Sequence, residues 1–125
     1  MRAFAVAAFV ALAVAPGAGA ATVRATFEPS AVGFGDTVTA RVVVTGPDAP
    51  RAVFSVAPLT QLGPTRVRRS EGVLVYETPA ACLTEACVSP TGRARITPEP
   101  VRAGNATAEW RPLTVTGGLV ALSLT

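Results

Sequence analysis

Cys82 and Cys87 are the two cysteines of this chain, and they stand in the segment ACLTEACVS. Two thiols so close can form a redox pair, a metal site or a structural bridge. A thioredoxin-type pair keeps two residues between its cysteines and lowers a thiol pKa with a nearby cation. Here Leu83, Thr84, Glu85 and Ala86 intervene, and the Glu85 charge disfavours a thiolate. Two thiolates without a histidine cannot complete a tetrahedral zinc site within one chain. The spacing predicts a disulfide, which would contribute about 2 kcal/mol in the chain-entropy account of so short a ring. Helical geometry would carry the two side chains onto different faces, so Leu83 to Ala86 should form a loop or bulge.

The second dense group is Arg66, Arg68 and Arg69 in TRVRRS. On a strand, Arg66 and Arg68 point one way and Arg69 the other, so two at most act together. They suit contact with an anionic wall polymer or lipid headgroup, or the guarding of an edge strand against indiscriminate pairing. The guarding role is the favoured one. Glu28 with Asp36, and Glu71 with Glu77, bracket turns without a spacing that demands general acid–base work. Tyr76 and Trp110, each the single residue of its type, read as packing residues with a polar atom to satisfy. Asn105-Ala106-Thr107 matches a glycosylation sequon and receives no role here.

What is missing narrows the chemistry further. The chain has no His, all eleven basic residues are Arg, and Met1 is its one methionine. Ser-His and Cys-His catalysis, Schiff-base chemistry and a phosphate-loop lysine are excluded. A copper carrier would need His or Met ligands, so no metal and no cofactor is expected.

Residues 1–20 read as a removable export leader. Arg2 is followed by an unbroken apolar stretch from Ala3 to Ala15, then Pro16-Gly17 and the small residues Ala18-Gly19-Ala20. That order is the signature of a secretory signal peptide, and the stretch is too short to cross a bilayer. Cleavage after Ala20 would take Arg2 away, leaving ten arginines against eight acids. So mild an excess on an exported chain does not point to nucleic acid. Two cysteines in an oxidising compartment again favour the bridge.

Prolines and glycines, eleven of each, punctuate the chain too often for long helices. Val and Thr dominate between them, and both favour extended backbone. Thr22–Glu28 alternates with Val23, Ala25 and Phe27 inward. Gly33 and Gly35 then allow a corner before Asp36. Thr37–Thr45 places Val38, Ala40, Val42 and Val44 on one face. Further strands are expected at 51–57, 65–69, 73–78, 93–97 and 107–115, with Ser70-Glu71-Gly72 as a hairpin turn and Pro112 marking an edge or bulge. The reading is all-β: an immunoglobulin-like antiparallel β-sandwich of about seven strands over residues 21–116, preceded by the signal-peptide helix. The apolar tail 117–125 is either an extra strand or the start of a longer architecture, and is too short to span a membrane.

The stretch ATFEPSAVGFGDTVTARVVV resembles the opening of exported bacterial immunoglobulin-like modules, including the amino-terminal domain of the BatD/oxygen-tolerance type. There, a short strand, Pro-Ser-x-Val, a glycine corner with an acid and a Thr/Val strand recur. ACLTEAC, Ile96-Thr97-Pro98 and WRPLTV are similar to envelope proteins of high-GC bacteria that carry such a domain outside the membrane. The resemblance implies an extracytoplasmic module and brings no catalytic residue. Those proteins usually continue into a membrane helix, whereas this sequence runs to Thr125 without one, a departure that puts membrane tethering in doubt. The expectation is an exported, non-catalytic structural or protein-binding module of the cell envelope, its partner an envelope protein or polymer. A small-molecule or metal carrier and a carboxylate-dependent hydrolase are the alternatives.

Overall fold

The computed structural model describes residues 21–117, so both the leader and residues 118–125 of the tail lie outside the described residues. Eleven strands follow one another: β1 Thr22–Glu28, β2 Ala31–Gly33, β3 Thr37–Thr45, β4 Ala52–Val53, β5 Thr60–Gln61, β6 Arg66–Ser70, β7 Val73–Ala81, β8 Arg93–Ile96, β9 Val101–Ala103, β10 Ala106–Ala108 and β11 Leu113–Thr116. They stack as an all-β, immunoglobulin-like sandwich of antiparallel sheets.

The first sheet runs β1-β3-β7, with β5 and β6 both pairing along the far side of β7. Its alternation follows the side chains. Val38, Ala40, Val42 and Val44 of β3 are buried and their neighbours face outward, as the period of two demands. Glu71-Gly72 turns β6 into β7, with Ser70 opposite Val73 and Gly72 at φ +72°. β7 runs past Pro79 to Ala81, further than expected. Pro79 falls in the gap between Arg66 and Gln61, the last partners that β6 and β5 offer, so its missing N–H takes no ladder bond away.

The second layer is one long hairpin broken in its middle. β8 pairs with β11 through Ile96–Leu113, and β9 pairs with β10 through Val101–Ala108. The step from Ile96 to Val101 equals the step from Ala108 to Leu113, so the register is continuous across the break. Pro98, Pro100 and Pro112 lie in the interrupted stretch, where no ladder needs their N–H. The strand expected over 107–115 is therefore two strands, divided where Pro112 forbids pairing.

Two other expectations change. The strand expected over 51–57 shrinks to β4. Beyond it, the Ser55 hydroxyl accepts the Ala57 N–H at 3.1 Å and Leu59 N–H turns back to Val56 O at 2.9 Å, so local bonds displace the ladder. The corner before Asp36 holds β2, which pairs parallel with β11 after the chain crosses layers at Pro29-Ser30. Asp36 accepts the Gly33 N–H at 3.1 Å and closes this corner.

The core lies between the layers. Trp110 stacks on Phe27 at 4.8 Å and meets Phe54 edge-on at 5.9 Å, and Phe54 meets Tyr76 edge-on at 5.7 Å. Leu74, Leu113, Val101 and Val115 fill the remainder. Trp110 Nε1–H donates to Glu99 O at 3.0 Å, which satisfies its polar atom.

Candidate functional site

Cys82 and Cys87 are joined, with their Cα atoms 5.9 Å apart and both residues buried. Between them Glu85–Cys87 makes a single 3₁₀ turn, and the Thr84 hydroxyl accepts the Ala86 N–H at 3.3 Å. The ring replaces a strand continuation after β7, and the Gly35 N–H donates to Cys82 O at 2.9 Å. The bridge thereby anchors the corner after β2. Buried sulfurs without a neighbouring cation hold chain segments together and offer no nucleophile.

All five residues of β6 are exposed, and β7 is its strand partner. Arg66 and Arg68 face outward, opposite Glu77 and Val75, while Arg69 stands opposite the inward Leu74. The alternation separates the three as expected. Arg68 Nη2 lies 3.4 Å from Glu77 Oε2, and Arg41 Nε approaches the same oxygen at 3.9 Å. Arg41 Nη1 is in turn 3.6 Å from Glu28 Oε2. Glu28, Arg41, Glu77 and Arg68 thus form an alternating row across the outer face of the first sheet. Glu77 is shared between Arg68 and Arg41, and Arg41 between Glu77 and Glu28. Asp36 holds its corner, and Glu71 lies in the exposed hairpin turn. None of these pairs presents two carboxylates to a common cleft. Among the described residues, no cluster of three or more His, Cys, Asp or Glu could hold a metal.

A surface that the motif reading missed opens on one side of the sandwich. β6 bounds the first sheet there, and β4 bounds the second layer, each with one edge unpaired among the described strands. Between them runs a groove of about 560 Å³ lined by Val53, Phe54, Val56, Val67, Tyr76 and Thr78. Val53 is 72% exposed and Val67 53%, high values for branched apolar side chains. One cross-layer bond and one bond within the first sheet flank the groove. Ala52 N–H donates to the Tyr76 hydroxyl at 2.8 Å, and the Thr65 and Thr78 hydroxyls bond at 2.7 Å. The signal for Val67 was present in TRVRRS: it is the apolar residue between two outward arginines, so it must face the interior side. That the interior is uncovered at this point depends on the edge.

The protein-family models contain no match to this chain, and neither the curated proteins nor the solved structures contain one.

Proposed function

We propose that the chain is an exported, non-catalytic binding module of the cell envelope that works through the open side of its sandwich. The observation that carries this reading is the groove between β4 and β6, where Val53 and Val67 stand exposed beside two edges unpaired among the described strands. An apolar groove rimmed by polar residues is the usual mark of a protein contact. The occupant that fits is an extended segment of a partner protein, its backbone along an edge and its apolar side chains in the groove. Arg69 lies on the same side of β6 as Val67, so a segment with an acidic flank is favoured. Arg66 and Arg68 on the opposite side keep the edge from pairing with any strand it meets. Export is supported by the leader sequence, the Cys82–Cys87 bridge and the resemblance to envelope modules. No helix among the described residues is long and apolar enough to cross a membrane.

Site-directed photo-cross-linking tests the reading. A photoreactive residue at Val53 or at Val67 should capture one and the same envelope protein, and the Val53 adduct should disappear when Val67→Asp is added. Leu83, also an exposed apolar residue, serves as the control position. Equal capture from Leu83, or no adduct from either groove position, would overturn it.

A further inference from the structure

The outer face of the second layer carries three arginines, Arg93, Arg95 and Arg102, none of them in an ion pair among the described residues. Arg93 and Arg95 alternate with Ala94 and the buried Ile96 on β8, so both point away from the core. They stand opposite Thr116 and Thr114 of β11, and Ala31 and Gly33 of β2 continue the same surface. Among the described residues, the ion pairs join Arg41 and Arg68 to Glu28 and Glu77 on the other layer; Arg93 and Arg95 form none. Beneath their side chains lies a shallow concavity of about 490 Å³, lined by Ser30, Ala31, Arg93, Arg95, Pro112 and Thr114. Two arginines and two hydroxyl-bearing residues line it, with no carboxylate among the lining residues.

The backbone under this pair is held. The Ser89 hydroxyl donates to Arg93 O at 2.6 Å, and the Thr91 hydroxyl donates to the same oxygen at 3.2 Å. Thr114 N–H donates to Ser30 O at 3.0 Å, tying the far wall to β11. A site on a clamped strand positions its donors better than one on a loop.

We propose that Arg93 and Arg95, with Ser30 and Thr114, form a binding site for a phosphate ester. Guanidinium groups match phosphate oxygens in paired hydrogen bonds, and hydroxyl groups satisfy the remaining oxygen. A phosphate fits better than a carboxylate because its tetrahedral oxygens can meet two forks and two hydroxyls at once. The basic cluster TRVRRS, the denser one in sequence, is the less available: Arg68 is paired with Glu77, Arg66 stands opposite that same acid, and Arg69 faces away. The site is on a different face from the β4–β6 groove and does not depend on it.

Titration of the purified protein with glycerol 3-phosphate, followed by the arginine Nε–H resonances, tests the proposal against sodium chloride at equal ionic strength. Saturable shifts are expected at Arg93 and Arg95 and, in the same titration, at the backbone amides of Ala31 and Thr114; the affinity read from those two amides should weaken about tenfold or more in the double variant Arg93→Gln/Arg95→Gln and stay unchanged in Arg66→Gln. Shifts matched by chloride, or as large at Arg66 and Arg24, would overturn it. Co-sedimentation with phosphatidylglycerol vesicles identifies the carrier of the phosphate. Vesicle binding lost in the double variant assigns the site to a lipid headgroup, and glycerol phosphate binding without vesicle binding assigns it to a soluble ester. Vesicle binding that survives the double variant counts against the site.

Discussion

Replacing Tyr76 by Phe removes one oxygen from the molecule and should loosen one edge of it. Tyr76 is 8% exposed, its ring lies edge-on to Phe54, and its hydroxyl accepts the Ala52 N–H at 2.8 Å. Phe keeps the ring contact but leaves that N–H without its partner, in a part-buried position between the two layers. A net intramolecular hydrogen bond contributes about 1 kcal/mol, and a stranded buried donor costs about 1–3 kcal/mol. Water from the neighbouring groove reaches this side, so the lower part of that range applies, about 1–1.5 kcal/mol. For a domain near 100 residues, such a loss lowers Tm by roughly 5–10 °C. Urea titration should show a reduced midpoint at an unchanged slope, because the surface exposed on unfolding stays the same. Amide exchange localises the effect: Ala52 should lose protection while the amides of β3 keep theirs. A stability loss below about 0.3 kcal/mol, with the Ala52 amide as protected as before, would refute the reasoning that this hydroxyl holds β4 against the first sheet.

Two further outcomes follow from the same geometry. The Cys82→Ser/Cys87→Ser variant should lose about 2 kcal/mol in denaturant titration, and the native protein should resist thiol labelling until it is reduced; labelling of both cysteines without reductant would show that the bridge does not form. Gly92 and Gly104 both have positive φ, at +80° and +62°, so Ala at either position should cost about 1–2 kcal/mol. A Cβ at Gly104 would also come within 3.1 Å of Pro50 Cγ, whereas nothing lies within 4 Å at Gly92, so Gly104→Ala should melt lower; equal melting would mean that Pro50 moves freely.

The local pattern was enough for the elements whose cause is local. Alternation from Val38 to Val44 states which face of β3 is buried, whatever that face packs against. Glu71-Gly72 states where β6 becomes β7, because the turn needs a residue at ease with positive φ. The Cys82–Cys87 bridge was legible for a similar reason, since a short separation leaves few geometries and the expected export leader implies an oxidising compartment. The arginines of β6 separate as strand parity requires.

Tertiary structure decided what depends on distant segments meeting. β2 pairs parallel with β11 only because the chain changes layers at Pro29-Ser30, which no short-range period records. Glu77 pairs with Arg68 because β7 returns beside β6, and Arg41 reaches the same carboxylate from β3. Val67 is uncovered because the described sheets end where they do, and among the described residues no acidic side chain comes within ion-pair distance of Arg93 or Arg95. A sequence specifies which way each side chain points along its own strand. Which neighbours it then meets is a property of the packing, because charge compensation and solvent cover are set by residues far away in the chain.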